Sequence, residues 1–66
     1  MKYPKYDISV KLIGENGNAF NIIGKVRKEM KRNGVPNDEI DLFINEAMSG
    51  DYDNLLRTCM KYVNVE

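Results

Sequence analysis

The stretch NGNAFNIIGKVRKEMKRNG, residues 16–34, decides the fold because it supports two incompatible backbones. Asn16-Gly17 is a favoured hairpin turn, and residues 19–26 could return from it as a strand. Ala19, Ile22, Ile23, Val26 and Met30, however, recur at helical spacing and cover one arc of a helical wheel. Asn18 is a suitable N-cap, and Gly34 is a suitable stop after Asn33. Lys31 and Arg32 fall in the last turn, where cations complement the helix dipole. The helix satisfies more of these constraints and is the preferred reading.

Upstream, Ile8, Val10 and Leu12 alternate with Ser9 and Lys11, the period-2 pattern of a strand with one buried face. Pro4 precedes it, where a missing backbone donor does little harm. Downstream, a second helix is expected from an Asn37 N-cap, with Asp38 and Glu39 in its first turn. Its buried stripe is Ile40, Phe43, Ile44 and Ala47, with Met48 beside them. Ser49-Gly50 breaks the chain, and Asp51 caps a third helix with the stripe Tyr52, Leu55, Leu56, Cys59 and Val63. The tail, Val63 to Val65, reads either as a helix end or as a brief strand. The expected fold is α+β: one small domain over residues 1–66, with an N-terminal strand, three short helices and a candidate C-terminal strand. An isolated strand leaves unpaired backbone groups on both edges. Either the tail or a second copy of the chain could pair with it.

A chain of 66 residues makes one domain and buries only about 60% of its unfolded surface, so its stability is marginal. Such scaffolds usually add disulfides, a metal or a partner. Cys59 is the sole cysteine and there is no histidine, which argues against a disulfide or a protein-made zinc site. Association with a partner or with itself, most simply as a dimer, is the remaining route. The lone cysteine and the absence of a signal-like N-terminus lead us to expect a cytoplasmic protein. No apolar run approaches the roughly 20 residues of a membrane helix, so no membrane partner is expected.

The net charge of zero hides a division. Lys25 to Arg32 holds five of the ten basic residues and one acid, whereas Asn37 to Leu56 holds six acids and no base. Opposed patches steer encounters with charged partners. On the first helix, Lys25, Lys28 and Arg32 lie opposite the apolar stripe, flanked by Arg27 and Lys31. This face is a candidate interaction surface or phosphate rail, although a solvated helix face has the same composition and no aromatic interleaves for base stacking. Gly24 sits on that side, where a helix-interior glycine costs roughly 0.5–1 kcal/mol relative to alanine. Packing of Phe20 or a neighbouring segment over Gly24 is the expected explanation; approach of an external partner is the other. The loop ahead of the helix, with Asn16, Gly17 and Asn18, offers backbone donors that could bind an anion together with Lys25 and Lys28. It lacks the lysine or third glycine of the known phosphate loops, Glu15 would repel an anion, and a tight turn with an Asn18 cap is the preferred reading. Leu42 points away from the stripe of the second helix and is a candidate anchor for a partner. Asp51 and Asp53 are explained by capping and the helix dipole, so no metal is expected. Cys59, inside an apolar stripe and without a histidine to activate it, is expected to be structural.

The blocks Gly14-Glu15-Asn16-Gly17-Asn18-Ala19-Phe20, Gly24, Ser49-Gly50-Asp51-Tyr52-Asp53, Leu55-Leu56 and Val63-Asn64-Val65-Glu66 span most of the chain. They resemble a group of short, uncharacterised proteins of bacteria, phages and other mobile elements, with the GNAF and SGDYD motifs. Members of that group often carry Asp in place of Asn16 and Trp in place of Tyr62. The first departure removes a carboxylate from the loop. The resemblance implies a single-domain cytosolic protein with no known activity, and it makes a role in phage or host interaction a reasonable expectation; separately, no cofactor is expected.

Without histidine or an activated nucleophile, general acid–base catalysis has few players, and an enzyme is the weakest expectation. The leading one is a non-enzymatic binding module that occupies the surface of another protein, such as a host protein. The alternatives are an oligomeric sponge for an anionic small molecule or nucleotide, and nucleic-acid binding through residues 25–32.

Overall fold

The computed structural model describes residues 4–12 and 17–66. Residues 19–32 form a helix, α1 (Ala19–Arg32), and not a returning strand. Asn18 caps it: its side-chain oxygen accepts from the Phe20 amide at 2.9 Å. The other end closes by a Schellman motif. Val35 donates to the Met30 carbonyl at 3.0 Å and Gly34 to the Lys31 carbonyl at 3.1 Å, with Gly34 at φ +82°. The apolar contact that usually accompanies this motif is supplied by Val35 and Met30, both buried.

Helix α2 (Asn37–Ala47) starts one residue differently from the sequence expectation. Pro36, extended at φ −60° and ψ 150°, occupies the cap position, and Asn37 is already helical. Proline has no N–H to leave unpaired there, and its carbonyl accepts from both Glu39 and Ile40 at 3.1 Å. Helix α3 (Tyr52–Tyr62) is capped by the Asp51 carboxylate, which accepts from the Asn54 amide at 2.9 Å.

The tail is a strand. β2 (Asn64–Val65) runs parallel to β1 (Ser9–Val10), with Ser9 opposite Asn64 and Val10 opposite Val65. Asn64 and Glu66 donate to the carbonyls of Ile8 and Val10, each at 2.8 Å. The pairing runs on beyond the two-residue strands, where Tyr6 and Leu12 donate to the carbonyls of Tyr62 and Glu66. The three helices thus form the long crossover that a parallel pair requires.

Ile8 and Val10 turn inward to meet Ile22, Val26, Met30, Ile40, Phe43, Leu55 and Cys59 in one core. Ser9 and Lys11 face outward. Two residues assigned to the core leave it: Met48 lies past the end of α2 and Tyr52 in the first turn of α3, and both are exposed. Two others enter. Tyr62 is buried with its ring edge-on to Phe43, centroids 5.3 Å apart, and Thr58 is buried with its hydroxyl donating to the Asn54 carbonyl at 2.7 Å. The buried face of α3 is therefore Leu55, Thr58, Cys59 and Tyr62, a stricter helical repeat than the one read from hydrophobicity.

Candidate functional site

The residues that sequence reasoning grouped as an anion site are divided. Asn16 lies outside the described residues. The Asn18 side chain is engaged as the helix cap. The Gly17 carbonyl accepts from the Tyr52 hydroxyl at 2.6 Å, a contact across 35 residues of sequence. Lys25 and Lys28 lie away from this contact. With Lys11 they border a polar groove of about 360 Å³ between β1 and α1, which Glu29 and Glu66 also line. Arg27, Lys31 and Arg32 are exposed, and Arg32 reaches Glu29 one turn back at 3.6 Å.

Gly24 is not packed over. A methyl group added there would meet no described atom within 4 Å, which overturns the expectation that Phe20 or another segment covers it. Leu42 is 54% exposed on α2, as expected, but it lines neither of two apolar grooves among the described residues.

Those two apolar grooves on the described surface were missed from sequence. Phe20, 74% exposed, Met48, 56%, and Tyr52, 45%, surround a groove of about 300 Å³ floored by Ala19, Ile23, Ala47 and Leu55. On the other side of Tyr52 a second apolar groove, about 250 Å³, is lined by Leu12, Leu56, Met60 and Val65. The Tyr52 ring forms the ridge between them, held by its bond to Gly17. One signal for this face was available: Phe20 is a large apolar residue off the stripe of α1. Met48 and Tyr52 gave none, because each seemed to continue a core stripe.

The acidic helix is less open than its composition suggests. Glu39 accepts from Lys5 Nζ at 2.6 Å and from the Tyr6 hydroxyl at 2.8 Å. One turn-pair further along, Glu46 pairs with Lys61 and accepts from the Tyr62 hydroxyl at 3.2 Å. The rings of Tyr6 and Tyr62 stack with centroids 6.4 Å apart, and Lys5 lies 5.7 Å from each centroid. The lysine hydrogen bonds hold both carboxylates below the ordinary range. Burial raises both tyrosines above theirs. Each shift carries the group's pKa further from neutral pH, the opposite of what a general acid or base needs, and the contacts tie the N-terminal segment and α3 to α2. Cys59 is buried, and desolvation pushes its thiol up to about 11, which leaves it a poor nucleophile.

Among the described residues, no three side chains of His, Cys, Asp or Glu stand close enough to hold a metal ion. No helix among them is long and apolar enough to cross a membrane. No family model, curated protein or solved structure matches the chain.

Proposed function

We propose that this chain is a non-enzymatic interaction module that docks on another protein through the Phe20–Met48–Tyr52 face. One observation carries this reading: three of the large exposed apolar side chains, Phe20, Met48 and Tyr52, stand together around one groove. Apolar anchors seated in such grooves supply most of the energy of many interfaces. Asp51 lines the rim and Asp53 follows it, so the fitting occupant is a protein segment with a large apolar side chain flanked by a base. The resemblance to phage and mobile-element proteins makes a host protein a suitable source of that segment. The test is recovery of partners from the native cell by the tagged protein, in parallel with Phe20→Ser, Met48→Ser, Leu42→Ser and Lys28→Glu. Loss of one specific partner in the first two variants only, with unchanged circular dichroism, supports the reading. Retention there with loss in Leu42→Ser or Lys28→Glu transfers the interface to α2 or to the basic face of α1.

A second reading, capture of an anionic small molecule or nucleotide, draws on the convergence of Lys11, Lys25 and Lys28 along one groove. Glu29 and Glu66 on the same groove oppose an anion, which is why this reading ranks below the first. Saturable thermal stabilisation by one nucleotide, abolished in Lys28→Glu, distinguishes it from nucleic-acid binding along Arg27, Lys28, Lys31 and Arg32, whose mark is a steep salt dependence.

A further inference from the structure

β2 covers only one edge of β1. From Ile8 onward, the even-numbered residues turn their backbone groups to the tail: the Ile8 and Val10 carbonyls accept and the Leu12 amide donates. Alternation along a strand then directs the N–H and C=O groups of Asp7, Ser9 and Lys11 to the opposite edge. None of these three amides donates to a main-chain carbonyl among the described residues, and all three residues are exposed. Such an edge is a template for a further strand.

The charges along it are self-complementary. Asp7 and Lys11 stand two residues either side of Ser9, with all three side chains on the solvent face. In an antiparallel pairing of two copies centred on Ser9, Ser9 meets Ser9 of the second copy. Asp7 meets Lys11 of the second copy, and Lys11 meets its Asp7. Each of these is a hydrogen-bonded pair, and opposite charges directly across a ladder attract. We propose that the chain forms a twofold dimer through this edge, in which two strand pairs join as one four-stranded sheet in the order β2-β1-β1-β2. This goes beyond the docking proposed above and does not depend on it, because the apolar grooves share none of these three residues.

The surroundings favour a second copy over an acidic peptide. Two polar grooves border the strand: one carries Lys28 and half-buried Lys25 but also Glu29 and Glu66, and the other carries Arg32 but again Glu29. An acidic strand would meet two like charges there, whereas a second copy brings both signs. A twofold contact is also the commonest closed assembly, and it consumes the edge completely.

The test uses two charge variants of the whole chain, Asp7→Lys and Lys11→Asp, with sedimentation equilibrium and circular dichroism as readouts. Wild type is expected to be a dimer at high micromolar concentration. Each variant alone places like charges opposite one another at both pairs, and its self-association should weaken about tenfold or more. Mixed together, the two variants restore Lys–Asp pairs and should form a heterodimer. A monomeric wild type overturns the proposal. So does self-association of both variants as tight as wild type, or a folded mixture that stays monomeric. Ser9→Pro, which removes the central outward donor, should dissociate the dimer; a folded Ser9→Pro dimer overturns it equally.

Discussion

At the residue scale, Gly24 and Cys59 carry the clearest consequences. Gly24 lies mid-helix on α1 with open space around its missing Cβ and with negative φ. Alanine there removes the entropy cost of glycine and introduces no clash. Gly24→Ala should therefore stabilise the fold by about 0.5–1 kcal/mol, read as a higher urea midpoint at unchanged slope. Destabilisation would mean that a partner or another copy occupies the space beside it. Cys59 is fully buried in the core. Cys59→Ala should cost about 1 kcal/mol or more through lost packing while leaving partner recovery intact. The native thiol should react with a thiol reagent only as fast as the fold opens, and immediate labelling in native buffer would show that it is accessible.

Among the elements, the three helices were legible by period and two of them also by cap: the Ile22-Ile23-Val26-Met30 stripe with Asn18 and the Leu55-Cys59 stripe with Asp51. Helix α2 showed its stripe but is capped by Pro36 and not by Asn37. The parallel pairing of the tail was legible only as one of two outcomes, because Val63-Asn64-Val65 is too short to show a period. What remained hidden depends on tertiary neighbours. Tyr52 was assigned inward by its spacing, yet it stands on the surface because the Gly17 carbonyl, distant in sequence, offers its hydroxyl a partner. Glu39 and Glu46 looked like members of an open acidic face, but Lys5 and Lys61 reach them across 34 and 15 residues of sequence. These ties make stability depend on pH. Both carboxylates have folded values below the ordinary 4.5, so their contribution is complete above that pH and is lost as pH falls through the lowered values. Cys59, Tyr6 and Tyr62 have raised values, so the fold is favoured below the unfolded values of 9.0 and 10.0 and loses stability as pH climbs past them. The melting temperature should be level between these limits. It should fall gently in acid, because the pairs are at the surface and screened, and more steeply in alkali, because the thiol is buried. Lys61→Met should flatten the acid limb; a full acid limb in that variant would assign it to other groups.

For the whole molecule, size is the governing fact. A 66-residue chain has a net stability of about 3–10 kcal/mol at the usual contribution per residue, and this one has no cross-link among its described residues. A dimer through the β1 edge would add to that balance by mass action, since only the folded chain presents the edge. The melting temperature of wild type should then rise with protein concentration, because unfolding converts one dimer into two chains. Over a hundred-fold range of concentration, coupling of this kind contributes about 2.7 kcal/mol per dimer. For a domain this small, even half of that moves the midpoint by several degrees. Asp7→Lys and Lys11→Asp should each show that rise only at about tenfold higher concentration or beyond, and their equimolar mixture should recover the wild-type dependence. A wild-type midpoint that stays fixed across the same range would show that the fold stands alone. The open edge of β1 would then be kept from pairing by its shortness.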